Sequence, residues 1–441
     1  MAQIMTSAES LPEFSISFNW EFQKNDGIHQ DSRSPPPVSL SSTTKSQIDL
    51  KRVTEPKDLP YISPIEYVHD PVPEVPCHLT KLPPLPFPQY ASTDCQYTSV
   101  NSVRVNPRAA GLPYRSRFEL IRASKHWKAN VDETKKMLEL IMRDHPSTSV
   151  GMRDGLTLGG PAKKELRPGL EHRVVLATSY MYLNANERRA RIIAATMMLL
   201  FIYDDKMEET PEGLSFTNSR EQFLDYFKKE NDVMASDSTT SDFQRHLKST
   251  MSAIADEDEI SGNGGKEMIE AMIGGFRCVH PNGEFQSLEE YLSFRRLNVG
   301  AQYVIAAAKF TIKSSVDVDD PRFARYLRLI GDHLGIINDM ASYEKECRAR
   351  KEGRHQNMVN IVAVFQHLRS LPSSAEAKVA AYTYQLQVES WIIEEVEMLA
   401  ARGDLTDEEW WFIEAVFMTA TGNAFFCMTS SRYGGDAAKL T

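Results

Sequence analysis

Between about Arg115 and Tyr433 the chain consists of long segments in which apolar residues recur at spacings of three and four, a period that points to α-helix. The segments cover residues 117–144, 186–208, 287–310, 322–351, 375–403 and 407–433. Breakers fall between them, among them Pro161, Pro211, Pro281, Pro321, Pro372 and Gly403. No convincing run of alternating β-branched residues appears. The pattern predicts one all-α body of roughly 325 residues, large for a single solid core and better suited to helices surrounding a cavity.

Ahead of that body the texture is different. Sixteen of the 23 prolines lie between Pro12 and Pro113. Helices cannot run through that density, because each proline removes a backbone donor and restricts the residue before it. The expected division is therefore a Pro-rich extension over residues 1–114 and a helical domain over 115–441. The first 40 or so residues, rich in Ser, Asp and Pro, are expected to be disordered. Residues 61–113 mix Pro with Tyr, Phe, Ile and Val and are expected to lie extended over the body.

Charge and cysteine usage remove several function classes. The 441 residues carry 50 Lys+Arg against 60 Asp+Glu, a net charge of −10. That balance argues against nucleic acid or an anionic membrane as the main partner. Five scattered cysteines, Cys77, Cys95, Cys278, Cys347 and Cys427, form no CxxC or CxxH pair. Neither a disulfide framework nor a zinc site is indicated, and a reducing compartment fits best. The opening stretch has no basic region followed by an apolar one. The longest strongly apolar run, Ile192 to Tyr203, is 12 residues, short of the roughly 20 that a membrane span needs. A soluble, cytoplasmic protein without a membrane span is expected.

That apolar run ends abruptly in Asp204-Asp205-Lys206-Met207-Glu208-Glu209. Carboxylates at the C-terminal end of a buried helix are unfavourable, since the helix dipole is negative there, and a cation would offset the cost. Asp204 and Glu208 are four apart and share a face, with Asp205 beside them. Hard oxygen donors of this kind suit Mg²⁺ with substrate phosphate oxygens. A charged helix end emerging into solvent would explain the string equally well.

A second pattern narrows the choice. Asn338, Ser342 and Glu346 recur at i, i+4 and i+8 in another apolar helix, drifting only about 40° per step, so their oxygens line one face. Together they make a low-charge, all-oxygen chelate for a divalent ion, and the adjoining Lys345 can reach an anionic ligand. The alternative, a polar stripe facing water, sits poorly on a helix this apolar.

The two patterns, DDxxE and N-D-x-x-S-x-x-x-E, resemble the metal-binding motifs of the class I terpene cyclases. Further stretches follow in the family's order. Tyr291 to Gly300 is similar to the helix that carries a diphosphate-sensing arginine and then breaks at glycine. His355-Gln356-Asn357-Met358-Val359 resembles the HN-x-V loop, and Asn423 to Tyr433 resembles the terminal segment ending in Arg-Tyr. The Lys-Glu ending of the second motif leans towards the fungal sesquiterpene cyclases. The resemblance covers residues 115–433 and implies a single α-helical bundle around a central apolar cavity.

The resemblance also implies roles for residues. Asp204 would be the principal ligand of two Mg²⁺ ions, supported by Asp205 and Glu208, with Asn338, Ser342 and Glu346 holding a third. Arg296 best fits the sensor, with Arg295 the close alternative. Lys345, Arg432 and Tyr433 would hydrogen-bond the diphosphate. The last acid of the first motif is Glu rather than Asp, and Phe426 stands where many relatives carry Trp. The implied reaction is Mg²⁺-dependent ionisation of an isoprenoid diphosphate and cyclisation of the cation, in a lyase acting as monomer or homodimer. Farnesyl diphosphate is the expected substrate, because no prenyltransferase domain is present; geranylgeranyl diphosphate is the alternative. A bridged product such as longiborneol is one expectation from general resemblance.

A departing diphosphate carries about three negative charges and needs cationic and N–H partners, while the carbocation left behind needs a dry, electron-rich wall. Aromatic faces contribute roughly 0.5 to 2 kcal/mol each to such a cation. The candidates are Phe201, Phe294, Trp410, Trp411, Phe417, Phe425 and Phe426, each of which core packing would also explain. Three other strings read as incidental. Asp317-Val318-Asp319-Asp320 is expected to be an acidic helix start, Asp256 to Glu259 a solvated loop, and Cys77-His78 an unpartnered pair. Two rivals remain. A chain-elongating prenyltransferase would be expected to carry a second DDxxD motif, and a non-catalytic helical scaffold would have no need of these residues together.

Overall fold

The long periodic segments are helices, with one exception at the start of the body. The computed structural model describes residues 65–88, 100–144, 158–208, 241–261, 264–279, 284–353 and 358–440, with Arg220, Phe223, Leu224 and Pro281 between them. The chain divides into two units, residues 1–47 and 48–441, and all described residues lie in the second. The disorder expected for the first 40 residues falls outside the described part.

In chain order the elements are α1 (Cys77–Thr80), β1 (Ser102–Val105), β2 (Ile121–Ser124), α2 (Trp127–Arg143), α3 (Gly159–Glu165), α4 (Val175–Met181) and α5 (Glu187–Glu208). They continue with α6 (Asp242–Ser261), α7 (Gly265–Phe276), α8 (Leu288–Asn298), α9 (Ala301–Ile312), α10 (Ala324–Lys351) and α11 (Ile361–Leu368). The last are α12 (Ser374–Arg402), α13 (Asp407–Thr429) and α14 (Ser431–Gly434). Among the described residues the architecture is all-α apart from one small hairpin.

That hairpin corrects the expectation of helix from residue 117. β2 pairs antiparallel with β1, Val103 opposite Ala123 and Val105 opposite Ile121. Phe118, Ile121 and Ala123 are buried at these positions. An edge strand from the preceding segment offers the backbone a ladder, and this tertiary partner outweighs the local helical spacing. A second correction concerns Asp256 to Glu259. These residues lie inside α6 rather than in a loop. Glu257 is buried there against the guanidinium of Arg189, at 2.7 Å.

Local signals set the helix ends. Ser287, Asn360 and Ser373 accept backbone N–H bonds at the starts of α8, α11 and α12. Thr406 and Glu409 form a capping box at α13. Gly403 ends α12 at φ 67°, and Gly300, at φ 73°, separates α8 from α9 where a break is expected. Asp317–Asp320 lies between α9 and α10, and Asp320 is engaged by Arg322.

α13 is the central helix, packed on α4, α9 and α10 and apolar all round. Residues 407–438 are long and apolar enough to cross a membrane by length and composition, but 94% of the most apolar window is buried inside the protein. α13 is a core helix.

The segment before the body is stitched onto it. Tyr67 bridges antiparallel to Lys439, and the N–H groups of Val68 and His69 donate to the carbonyls of Ala438 (2.8 Å) and Met428 (2.6 Å). Asp70 pairs with Arg115, and the Leu85 N–H donates to the Arg117 carbonyl at 2.8 Å. The Arg117 N–H in turn donates to Glu389, fully buried on α12 beside His333 and Gln385.

Candidate active site

A cavity opens between α4, α5, α7, α8, α9, α10 and α13, lined by Asp204 from the first oxygen-rich helix face and Asn338 from the second, while Ser342 and Glu346 lie outside its lining. α5 reaches the cavity with its last turns. Met197, Leu200, Phe201 and Tyr203 line the wall, and Asp204 lines it where the apolar run stops. Asp205 turns towards the last segment of the domain. Its carboxylate accepts two bonds from Arg432, at 2.7 and 2.9 Å, and one from Lys345 at 3.0 Å. Burial alone would raise the Asp205 carboxyl, but the two cations hold it well below the usual carboxylate range. Both Asp205 oxygens are thus engaged by protein cations. Glu208 ends α5, and its side chain lies outside the described residues.

The facing helix is α10. Asn338 lines the cavity, accepting at Oδ1 from Arg295 (2.8 Å) and donating from Nδ2 to the Tyr433 hydroxyl (3.0 Å). One and two turns further on, Ser342 and Glu346 are buried and touch, Ser342 Oγ donating to Glu346 Oε1. Glu346 Oε2 accepts from the Asn360 amide at 3.1 Å. Among the described residues no three His, Cys, Asp or Glu side chains converge. The donor set on α10 is of another kind, an amide, a hydroxyl and a single carboxylate. Two of its oxygens are already in contact, and hard oxygens gathered on one face are what a hard divalent ion takes. The residues fit such an ion.

The two arginines weighed as sensor are turned apart. Arg296 leaves the cavity and bonds Asp332 (2.7 Å) and Ser293 (2.9 Å). Arg295 lines the cavity instead and reaches Asn338, Asp339 and Asn298. Neighbouring residues on a helix point about 100° apart, so only one can face inward, and α8 turns Arg295 that way. The expected HN-x-V loop falls largely outside the described residues. His355 and Asn357 lie outside the described residues, while Asn360 is buried, caps α11 and bonds Glu346. An Asn directly before the apolar Ile361-Val362 is a helix-start signal that marks it in the sequence.

The aromatic wall is also composed differently. Of the seven candidates only Phe201 lines the cavity, with the Arg432 guanidinium 5.2 Å from its ring centroid. Phe417, Phe425 and Phe426 are buried in α13, Trp410 and Trp411 lie at its start, and Phe294 packs on Phe285. Tyr203, Phe276 and Tyr303 complete the wall. Their polar ends are used within it: the Tyr203 hydroxyl donates to the Phe276 carbonyl at 2.7 Å, and those of Tyr303 and Thr196 share a 2.6 Å bond.

Residues 195–382, which carry both motifs, match the family model described as terpene synthase family 2, C-terminal metal binding. That match, with the relatives that follow, supports a class I terpene cyclase. The cyclase is similar to terpene cyclase 6 of Gibberella fujikuroi, 25% identical over 333 residues that cover 74% of this chain and 84% of that protein. It is also similar to terpene cyclase aneC of Aspergillus aculeatus, 24% identical over 427 residues, 91% and 90% of the two chains. Among solved structures, aristolochene synthase from Penicillium roqueforti superposes with a TM-score of 0.49 at 16% identity, covering 58% of this chain and 85% of that one. These likenesses support terpene cyclisation of an isoprenoid diphosphate, and the family model's description supports a divalent metal.

Proposed function

We propose that the cyclase ionises farnesyl diphosphate with Mg²⁺, three ions in all, and closes the carbocation to a sesquiterpene hydrocarbon or alcohol, as a monomer or homodimer in the cytoplasm. One observation carries the reading. Asp204 of α5 and Asn338 of α10 line one aromatic-walled cavity together with Arg295, while Lys345 and Arg432 bond Asp205, the neighbour of Asp204. The Lys345-Glu346 ending, similar to that of fungal sesquiterpene cyclases, favours the C15 substrate over its C20 homologue.

Asp204, supported by Asp205 and Glu208, would hold two ions, and Asn338, Ser342 and Glu346 the third. Bound Mg²⁺ supplies Lewis-acid charge to the oxygens of the departing diphosphate. Arg295, Lys345, Arg432 and the Tyr433 hydroxyl bind that diphosphate by charge-assisted hydrogen bonds, worth most where water is excluded. Arg295 takes the sensor role in place of Arg296. Phe201, Tyr203, Phe276 and Tyr303 face the hydrocarbon and stabilise positive charge without offering a strong nucleophile.

The test is incubation of purified protein with geranyl, farnesyl or geranylgeranyl diphosphate, with Mg²⁺ or with chelator, products read by gas chromatography and mass spectrometry. A cyclic C15 product that needs Mg²⁺ is expected. A cyclic C20 product would move the substrate to geranylgeranyl diphosphate, and a longer linear diphosphate would make the protein a chain-elongating enzyme. Silence with all three from folded protein would favour the scaffold.

A further inference from the structure

We propose that Asp339 and Gly335, one turn apart on α10, are the residues that position Arg295 for the diphosphate. The inference rests on the reading of Arg295 given above. Arg295 stands on α8, but its guanidinium is set by α10. Its Nε and Nη2 both donate to Asp339 Oδ1, at 2.9 and 2.7 Å, and Nη2 also donates to Asn338 Oδ1 at 2.8 Å. Nη1 donates to Asn298 Oδ1. A guanidinium is a rigid planar fork, so bonds along one edge fix the direction of the whole group.

The anchor is itself immobilised. Asp339 is fully buried, and its second oxygen accepts from the Tyr291 hydroxyl and from the Ile361 N–H (2.8 Å) at the start of α11. Its carbonyl accepts from Asn360 Nδ2 at 2.8 Å, the same amide that bonds Glu346. One short stretch of α10 therefore orients the arginine and, through Asn360, the ligand acid two turns away.

Gly335 provides the path. A Cβ at this position would lie 3.0 Å from Arg295 Cγ, so the arginine stem crosses α10 where no side chain stands. Gly331, one turn earlier, does the same for the stem of Arg296, at 3.3 Å from its Cγ. The glycines let two adjacent arginines pass the same helix, while Asp339 and Asp332 decide where their heads end.

A purely architectural role for Asp339, pinning α8, α10 and α11, makes a different prediction. Binding of inorganic diphosphate in the presence of Mg²⁺, followed by calorimetry, separates the two through a double-mutant cycle. Arg295→Gln should weaken binding about tenfold or more, the scale of a lost charge-assisted contact. Asp339→Asn should weaken it similarly, and the double variant should lose no more than Arg295→Gln alone. Additive losses would overturn the proposal. If Asp339→Asn fails to fold, Gly335→Ala serves in its place, because the added methyl displaces the arginine stem and its loss should likewise vanish in the Arg295→Gln background. Wild-type affinity in Gly335→Ala would overturn the proposal as well. Wild-type affinity in Arg295→Gln would instead remove Arg295 from the diphosphate site, and the positioning role with it.

Discussion

Substituting alanine at two glycines, one packed between helices and one in the cavity wall, should change stability in opposite directions. Gly422 lies on α13 where it passes α4. A Cβ there would sit 2.0 Å from the Tyr180 carbonyl oxygen, 2.4 Å from its carbon and 2.9 Å from the Met181 Cα. All three are backbone atoms, so no rotamer relieves the clash, and the helices must part by about 1.4 Å to restore ordinary contact in a close-packed interior. Overpacking of this kind costs about 1 to 3 kcal/mol, and backbone on both sides puts it at the top of that range. The helix preference of Ala over Gly returns about 1 kcal/mol, leaving a net loss of about 2 kcal/mol. Gly275, in the last turn of α7, has the opposite surroundings. It lines the cavity, and a Cβ there meets nothing within 4 Å. Gly275→Ala should gain about 0.5 kcal/mol from helix preference alone. Melting followed by differential scanning fluorimetry should place Gly422→Ala a few degrees below the wild type and Gly275→Ala at or slightly above it. Gly422→Ala should also impair cyclisation, since Met181 and Asn423 line the cavity on either side of the contact. A Gly422→Ala protein with wild-type melting and turnover would refute the close approach of α4 and α13.

Further expectations concern the site and pH. Asp204→Ala and Asn338→Ala should each abolish turnover while leaving the circular dichroism spectrum of a folded protein, and near-normal turnover in either removes that residue from the metal site. Gly275→Leu should fill cavity space, so turnover should fall first for geranylgeranyl, then farnesyl and last geranyl diphosphate; equal losses in competition assays would contradict this. Burial holds the His69 imidazole below its usual 6.5, with Lys378 adding to the effect. Above about pH 6.5 neither state is protonated there, but below it the unfolded chain takes up a proton that the buried ring refuses. Stability should therefore fall as pH drops from about 6.5 towards the lowered folded value, and His69→Gln should flatten the melting curve against pH over 7.5 to 5.5. His126, lowered mainly by burial, leaves a residual slope of the same sign.

The sequence was most legible where one helix face decides the outcome. The spacing of Asn338, Ser342 and Glu346 put three oxygens in line, and the structure shows Ser342 and Glu346 in contact. The break at Gly300 was implied by the family resemblance, and its φ of 73° is one that glycine adopts freely. What stayed hidden depends on how helices lie against one another. Arg295 and Arg296 are adjacent and chemically identical, and only the passage of α8 over Gly331 and Gly335 separates their directions. The phenylalanines of α13 were poor candidates for the cavity for a related reason. A helix apolar on every side has no stripe to show which residues face a void and which face neighbours. The hairpin of β1 and β2 was missed because its partner strand comes from a proline-rich stretch with a weak strand pattern of its own.

The stitching of residues 66–69 to 428–440 bears on the order in which the molecule forms. Arg432 and Tyr433 sit within the stretch that Tyr67, Val68 and His69 hold down, so their seat is complete only after segments on either side of the whole helical body have met. Contacts between residues so distant along the chain must await closure of a very long loop, whereas helices form from local contacts. On refolding, helical signal should therefore return early and the grip on diphosphate late, leaving an interval in which the bundle exists but its arginine and tyrosine have not yet found their places.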